Sequence, residues 1–335
     1  MQYSRRSFLR VTAAAAAVTP FVARAAVSES LGASAGCTFR MAVITDELSQ
    51  DFGEACEIAS KHMGLGWVEM RSLWNKNVTN LDAKEVTEAQ RILLKYRLQV
   101  TDLGSPLFKV EWPGAGKSSA SNIGELDRGS FHNEFGASQQ AELLDRSIAL
   151  CRQFRTDRIR CFDFLKLEDQ RPYRDAINAT LRSTSEKCAK HGISLVMENE
   201  ESCNTQTAAQ AVEVLRAVPN ANFLLNWDPA NEAAVGGNPF PQGWNLLPKN
   251  RIGHVHCKDV VLKDGKFTWA PIGGGVMDWV GQFRALAAIG YHLGVSLETH
   301  WHGPGTKEES TQKSMEGLKS ALRDANIACP NVLNS

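Results

Sequence analysis

The chain has 335 residues, and its 37 lysines and arginines balance its 37 aspartates and glutamates. That neutrality excludes the basic stripe of a nucleic-acid binder and the acidic tail of a solvating arm. The length suits a single large α/β domain, and the composition suits a globular protein acting on a small substrate of neutral or mixed polarity.

In chain order, the first 25 residues stand apart. Ser4-Arg5-Arg6-Ser7-Phe8-Leu9-Arg10 sets paired arginines before two apolar residues, a run of mostly Ala, Val and Thr covers 11–22, and Ala23-Arg24-Ala25 offers a small-residue cleavage site. This is the layout of a twin-arginine signal, which implies the twin-arginine export machinery as a partner and the periplasm as destination. The apolar run is too short for a stable membrane span. Residues 26–39 read as a linker, 40–326 as one folded domain and 327–335 as a C-terminal tail. The cysteines (Cys37, Cys56, Cys151, Cys161, Cys188, Cys203, Cys257 and Cys329) show no CxxC or zinc-finger spacing. Most read as small buried apolar residues. Some can pair in an oxidising compartment, with a connectivity that spacing does not reveal.

From Arg40 onward, short apolar runs alternate with longer amphipathic stretches. Strands are predicted at 41–45, 67–71, 99–103, 158–162, 194–198, 222–227, 252–257 and 294–298. Several are near-continuous in Val, Ile, Leu and Met, as a parallel strand buried on both faces requires. Helices are predicted at 52–62, 83–96, 138–154, 173–191, 207–218, 277–289 and 308–325. Ser138 suits an N-cap, Asp278 and Thr306 suit helix entries, and Gly192 and Gly290 suit left-handed helix exits. Eight such repeats predict a closed (β/α)8 TIM barrel, and no GxGxxG follows the first strand to suggest a dinucleotide fold. The sixth unit, 231–248, is rich in Gly and Pro and has room for only a short helix. Residues 105–137 and 263–276 are long excursions after strands three and seven, on the barrel face where sites are built.

Four ionisable residues fall at the ends of consecutive strands: Glu198, Asp228, His256 and Glu298, separated by 30, 28 and 42 residues. In a parallel barrel this spacing brings all four to one mouth. Three carboxylates and an imidazole form a hard anionic cage for one divalent ion, Mn, Mg or Co, with Zn also accommodated.

The chain resembles the xylose isomerase-like TIM barrel superfamily of sugar (phosphate) isomerases and epimerases over roughly 40–326. The resemblance rests on Glu198-Asn199, on Trp227-Asp228-Pro229-Ala230-Asn231, on His254-Val255-His256-Cys257-Lys258-Asp259, on Pro271-Ile272-Gly273-Gly274-Gly275 and on Ser296-Leu297-Glu298-Thr299-His300. It implies that the four residues hold the metal and that two vicinal oxygens of a keto-sugar chelate the ion, which stabilises an enediolate. Glu198 and Glu298 then serve as the catalytic proton carriers, while Asp228 and His256 chiefly anchor the ion. His256 needs a partner to pin its second ring nitrogen.

Around this set, Asn231, Lys258, His300, Lys109 and Trp74 are the expected substrate-binding residues. Asn231 stands where some keto-sugar epimerases carry a histidine. Lys258 either meets a substrate oxygen or pairs with Asp259. His254 reads as a packed histidine or one that supports a ligand from behind, Glu69 and Arg71 as members of structural ion pairs, and Trp301 and His302 as neighbours of the mouth. Export directs the reading to a non-phosphorylated sugar, keto-sugar or polyol, and Gly273-Gly274-Gly275 is only a weak phosphate cradle. The expected reaction is isomerisation or epimerisation. The alternative is a lyase or hydratase acting on 3-keto-glycosides through the same enolate. Neutral charge argues against the abasic-DNA endonucleases that share this barrel. A binding protein that keeps the metal for stability is the non-enzymatic reading, and relatives of this kind often form homo-oligomers.

Overall fold

The computed structural model describes residues 35–115, 135–303 and 305–333; the expected export signal, most of the expected linker and residues 116–134 of the excursion after the third strand lie outside them. Eight strands build the core: β1 (Arg40–Val43), β2 (Trp67–Met70), β3 (Gln99–Leu107), β4 (Arg158–Cys161), β5 (Ser194–Glu198), β6 (Phe223–Trp227), β7 (Ile252–Cys257) and β8 (Gly294–Leu297). All pair in parallel, in the order β1-β8-β7-β6-β5-β4-β3-β2, and a single bridge between Ile44 and Glu69 draws β1 against β2. The result is a nearly closed barrel. Its strands are buried along almost their whole length because one face meets the barrel interior and the other meets the helices.

Helices α1 (Phe52–Glu57, continued by a wide turn through Ile58–His62), α2 (Ala83–Tyr96), α3 (Gln140–Phe154), α4 (Arg174–Ala189), α5 (Ala208–Ala217), α6 (Pro229–Ala234), α7 (Trp279–Ala288) and α8 (Lys307–Asp324) cover the outside. In α2, Val86, Ala89, Leu93 and Tyr96 form one buried stripe, and Asp82 and Glu85 make reciprocal caps at its start. Thr306 and Asp278 accept backbone N–H bonds at the starts of α8 and α7, as expected of entry residues. Gly192 and Gly290 adopt the left-handed conformation expected after α4 and α7. Ser138 is not the cap of α3. It sits inside the single turn Ala137–Gln139, where the Gln139 side chain accepts from the Gly136 N–H.

Three departures matter for the site. Strand β3 runs to Leu107, well past the expected end at 103, and presents the carbonyls of Gly104 and Ser105 to the mouth. The excursion after β7 is a β-hairpin, Asp259–Lys263 paired with Lys266–Ala270. The sixth unit is irregular as expected, with α6 followed by short turns at Pro239–Gly243 and Trp244–Leu246.

The ends of the folded unit also reach further than the sequence suggests. Ala35–Gly36 pairs in parallel with Ile327–Ala328, and Cys37 is disulfide-bonded to Cys329 across 292 residues. The end of the expected linker and the start of the expected tail therefore join the fold, and a cross-link over so long a loop restricts the unfolded chain. The other six cysteines are buried thiols; burial pushes Cys188 up to about 12. Among the described residues no helix is long and apolar enough to cross a membrane.

Candidate metal centre

Register decides which side chains share the mouth. Glu198 pairs with Asn226 across β5 and β6, and His256 pairs with Ser296 across β7 and β8, so the residues at these strand ends converge. Asp228, one residue past β6, caps α6: its Oδ1 accepts the N–H groups of Ala230 and Asn231 at 3.0 Å. That leaves Oδ2 turned inward. Glu298, one residue past β8, is held by its backbone N–H to the Cys257 carbonyl.

The four side chains are buried, and one donor atom from each lies within 4.8 Å of every other. His256 Nδ1 is the hub, 3.2 Å from Glu198 Oε1, 3.0 Å from Glu298 Oε2 and 3.9 Å from Asp228 Oδ2. Its other nitrogen, Nε2, meets both oxygens of Glu69, at 3.1 and 3.2 Å. Glu69 is thus the partner that orients the imidazole, an arrangement typical of metal-binding histidines. A Glu69→Gln exchange is expected to lower Mn²⁺ affinity 10- to 100-fold in a calorimetric titration. Unchanged affinity would show that the contact does not support the cage.

The charge balance tests whether a cation fits. Six buried carboxylates gather here (Asp46, Glu47, Glu69, Glu198, Asp228 and Glu298) against five cationic groups, Arg71, Arg160, Lys258 and the protonated rings of His256 and His300. Lys258 Nζ lies 3.0 Å from Asp228 Oδ2 and 2.9 Å from Glu298 Oε2, yet neither oxygen accepts an aligned hydrogen bond among the described residues. Burial, reinforced by Glu198 and Glu298, raises the Asp228 carboxyl to about 6 in spite of Lys258 and His256. Burial also acts to raise Glu298, but Lys258, His300 and His256 outweigh it and hold that carboxyl well below the usual range. For His256 burial favours the neutral ring, and Glu69, Glu198 and Glu298 overcome it. A compact set in which carboxylates outnumber cations, with Asp228 Oδ2 and Glu298 Oε2 held by Lys258 and His256 without an aligned hydrogen bond, suits a hard divalent cation.

Two arginines hold the glutamates in place. Arg71, just past β2, donates to Glu298 Oε1 at 2.5 Å, to Glu47 at 2.7 Å and to Asp46 at 2.8 Å. Arg160, on β4, donates to Glu198 Oε2 at 3.2 Å and to the Gly104 and Ser105 carbonyls. The ion pairs expected of Glu69 and Arg71 are therefore made with the site itself, to His256 and Glu298 respectively. His254 is a packed histidine, as read: its Nδ1 faces Asn226 Oδ1 at 3.2 Å, and burial lowers it to about 3.

The expected substrate-binding residues divide. Lys258 does not pair with Asp259 but lies against Asp228 and Glu298. His300, with a left-handed backbone, places Nδ1 3.0 Å from Glu47 and Nε2 3.4 Å from Glu298. Burial opposes its protonation, yet Glu298 and Glu47 push it up to about 9. Asn231 donates to the Asn199 carbonyl at 2.9 Å and to Glu200 at 3.2 Å; Lys109 reaches the same Glu200 at 3.2 Å. The Trp74 ring stands edge-on to Phe52 at 5.9 Å, a packing contact. His302 is exposed, and Trp301 folds against Gly303.

Gly273-Gly274-Gly275 is filled from within. Asp259 Oδ2 accepts the N–H groups of Gly273 and Gly275 at 2.8 and 3.2 Å, and a Cβ on Gly275 would lie 2.2 Å from Asp259 Oδ1. The loop closes on its own carboxylate rather than presenting free amides.

Sequence reasoning missed Asp46, Glu47, Arg160 and Trp269. Arg160 left a trace, since arginines inside a buried strand (Arg158-Ile159-Arg160) demand internal partners. Trp269 lies on the second strand of the hairpin, its ring 5.1 Å from Lys258 Nζ and 5.5 Å from the His300 ring.

The model of the xylose isomerase-like TIM barrel family matches residues 57–321, and the chain belongs to that family. Among curated proteins, none matches it. Solved structures share the fold at low identity. The IOLI protein with a bound zinc atom is 16% identical over 86% of this chain and 99% of its own, with a TM-score of 0.63. A D-tagatose 3-epimerase-like protein is 18% identical over 86% and 98%, with a TM-score of 0.61. The probable 3-DHS dehydratase AsbF from Bacillus anthracis is 17% identical over 82% and 97%, also at 0.61. The chain spans 46% of the length of a further match, a fusion of such a barrel with a 4-hydroxyphenylpyruvate dioxygenase.

Proposed function

We propose that this chain is a divalent-metal-dependent isomerase or epimerase of a non-phosphorylated sugar, keto-sugar or polyol. One observation carries the reading. Glu198 from β5 and Glu298 from β8, on separate strands of the barrel, each reach His256 Nδ1, at 3.2 and 3.0 Å, so two carboxylates border one point. Glu198, Asp228, His256 and Glu298 would hold the cation, with Mn, Mg, Co or Zn all compatible with the donor set. When bound, it supplies Lewis acidity that stabilises the negative charge of an enediolate. One glutamate, ionised, takes the proton from the carbon beside the carbonyl; the other, after taking up a proton from solvent, returns it to the opposite face, and the two then exchange protons with water to reset. Arg160 and Arg71 hold these carboxylates in place through their hydrogen bonds. Lys258 and His300 offer N–H donors to substrate oxygens, while Asn231 and Lys109 shape the rim through Glu200. The self-filled glycine loop supports a substrate without phosphate.

The second reading is a lyase or hydratase acting on 3-keto-glycosides. Asn231 favours it, because an amide stands where some keto-sugar epimerases carry an imidazole, with its Nδ2 turned to the Asn199 carbonyl, Glu200 and Glu198. Incubation of the Mn²⁺-loaded protein with ketohexoses and 3-keto-glucosides in deuterated water separates the two. Deuterium beside the carbonyl with every substituent retained supports the first, and loss of the β-substituent supports the second. No exchange on any of these sugars, with metal bound, overturns both.

We also propose that the chain is exported by the twin-arginine route to the periplasm. The paired Arg5 and Arg6 carry this, and the Cys37–Cys329 disulfide supports it, since such bonds persist in oxidising compartments. Replacing both arginines by lysine should leave the precursor uncleaved in the cytosol; normal processing of that variant would contradict the proposal.

A further inference from the structure

The hairpin that follows β7 carries an apolar face outward from the charged mouth; Val260 belongs to the core, Phe267 and Trp269 pack partly against it, and Leu262 stands outside it. Its cross-strand pairs are Val260 with Trp269, Val261 with Thr268 and Leu262 with Phe267. Directly opposed residues share a face of the ribbon, and so do residues two apart. Val260, Leu262, Phe267 and Trp269 therefore form one continuous apolar face. Trp269 anchors its inner end: its ring meets Lys258 Nζ at 5.1 Å and the His300 ring at 5.5 Å, and both partners touch Glu298. Phe267 continues outward, edge-on to Trp269 at 5.1 Å. Val260 is buried at the root, Trp269 and Phe267 are half-buried, and Leu262 is 45% exposed. The strip thus begins beside two residues of the mouth and grows more open with distance from it.

We infer that this face is the wall of a glycoside subsite, with Trp269 stacking on the C–H face of a pyranose ring and Leu262 and Phe267 receiving an apolar aglycone. The inference deepens the proposal of a sugar-acting site on the side of its second, 3-keto-glycoside reading, and rests on that proposal. Its logic is one of matched surfaces. A sugar ring presents polar edges and an apolar C–H face, so it needs hydrogen-bonding groups on one side and an aromatic plane on the other. The cage with Lys258 and His300 supplies the first, and Trp269 supplies the second. A free monosaccharide gripped by its own oxygens has no use for Leu262 and Phe267 one residue pair further out. A ring carrying a phenol-like or other apolar substituent does.

The test uses the full-length mature protein and four probes: Mn²⁺ alone, then methyl β-D-glucopyranoside, phenyl β-D-glucopyranoside and phenyl β-D-xylopyranoside. Titration with Mn²⁺ reads the metal site by itself. Glycoside binding is read by saturation-transfer NMR and by calorimetry, with and without Mn²⁺. The phenyl glycosides should bind about tenfold more tightly than the methyl glucoside, with saturation reaching both the aglycone and the ring C–H protons. Trp269→Ala should weaken every glycoside about tenfold, Trp269→Phe should restore most of that loss, and Leu262→Ser should weaken only the phenyl glycosides. Mn²⁺ affinity should be the same in all three variants. Equal glycoside affinity in wild type and Trp269→Ala, or no saturation transfer from wild type to any of the glycosides, overturns the inference. A wild type that binds no Mn²⁺ but keeps the glycoside pattern would overturn the metal reading and leave the sugar wall standing.

Discussion

Exchange of Glu298 for glutamine is expected to lower substrate proton exchange by at least about 10³-fold while the barrel stays folded. The side chain has two obligations that a neutral amide cannot meet. Its Oε2 stands 3.0 Å from His256 Nδ1 and 2.9 Å from Lys258 Nζ, and its Oε1 accepts from Arg71 at 2.5 Å. Glutamine fills the same volume but offers one acceptor and an NH₂ group. Either orientation sets that NH₂ against a cationic donor, Arg71 or Lys258, and weakens the local negative charge. Burial works to raise the Glu298 carboxyl, but Lys258, His300 and His256 hold it far below neutrality, so it is ionised and ready to accept a proton at pH 7. Loss of a general base alone costs about 10²–10⁴ in rate, and the weaker cage adds to that. Circular dichroism should still report a folded barrel, with a lowered thermal midpoint because a buried ion-pair partner is lost. Unchanged turnover would remove Glu298 from the mechanism.

The largest expected effect on stability comes from Arg71→Met, at about 3–5 kcal/mol. One guanidinium binds Asp46, Glu47 and Glu298, and all four groups are buried. Methionine replaces the hydrocarbon stem but leaves three carboxylates facing each other with His300 and Lys258 as the remaining cations nearby. Glu47 is especially dependent. Burial acts to raise it, and His300 and Arg71 together depress it well below the usual range. A depressed carboxylate stabilises the fold above its unfolded pKa, and that contribution is lost as pH falls toward the folded value. The gap between wild type and variant in urea unfolding should therefore be full at pH 7 and narrow below about pH 4. A loss of under about 1 kcal/mol at pH 7 would mean that the acidic groups find other partners.

Much of this fold is legible in the sequence, for a definable reason. Residues 194–198 and 252–257 are read as strands, and 83–96 as a helix, with the bounds the structure has, because period and capping are local signals carried by adjacent residues. Strand ends then indicate the mouth, and the convergence of Glu198, Asp228, His256 and Glu298 follows from parallel topology. The residues that hold those four are harder to see. Glu69 meets His256 across 187 positions and Arg71 meets Glu298 across 227, from the other side of the barrel. No periodicity links such pairs, so Arg71 and Glu69 look like ordinary ion-pair residues, and Asp46 and Glu47 like residues of a turn. Trp269 escapes notice for a different reason. Its hairpin reads as a loop until the pairing across Asp264-Gly265 is seen, and only then do Phe267 and Trp269 fall on one face with Val260 and Leu262. The Lys258–Asp259 pairing is the opposite case: adjacency suggests it, but the backbone amides of Gly273, Gly275 and Met277 claim the aspartate instead.

The central claim is that Glu198, Asp228, His256 and Glu298 hold one divalent ion. A calorimetric titration of the metal-stripped mature protein with Mn²⁺, repeated on Asp228→Asn, tests it most directly. Asp228 is the informative choice because its Oδ1 caps α6 while its Oδ2 faces the cage, so asparagine can keep the cap and lose the anionic donor. The account predicts one ion per wild-type chain and an affinity at least about 100-fold weaker in a variant that remains folded. No bound ion in the wild type, or an ion held equally well by Asp228→Asn, would contradict it.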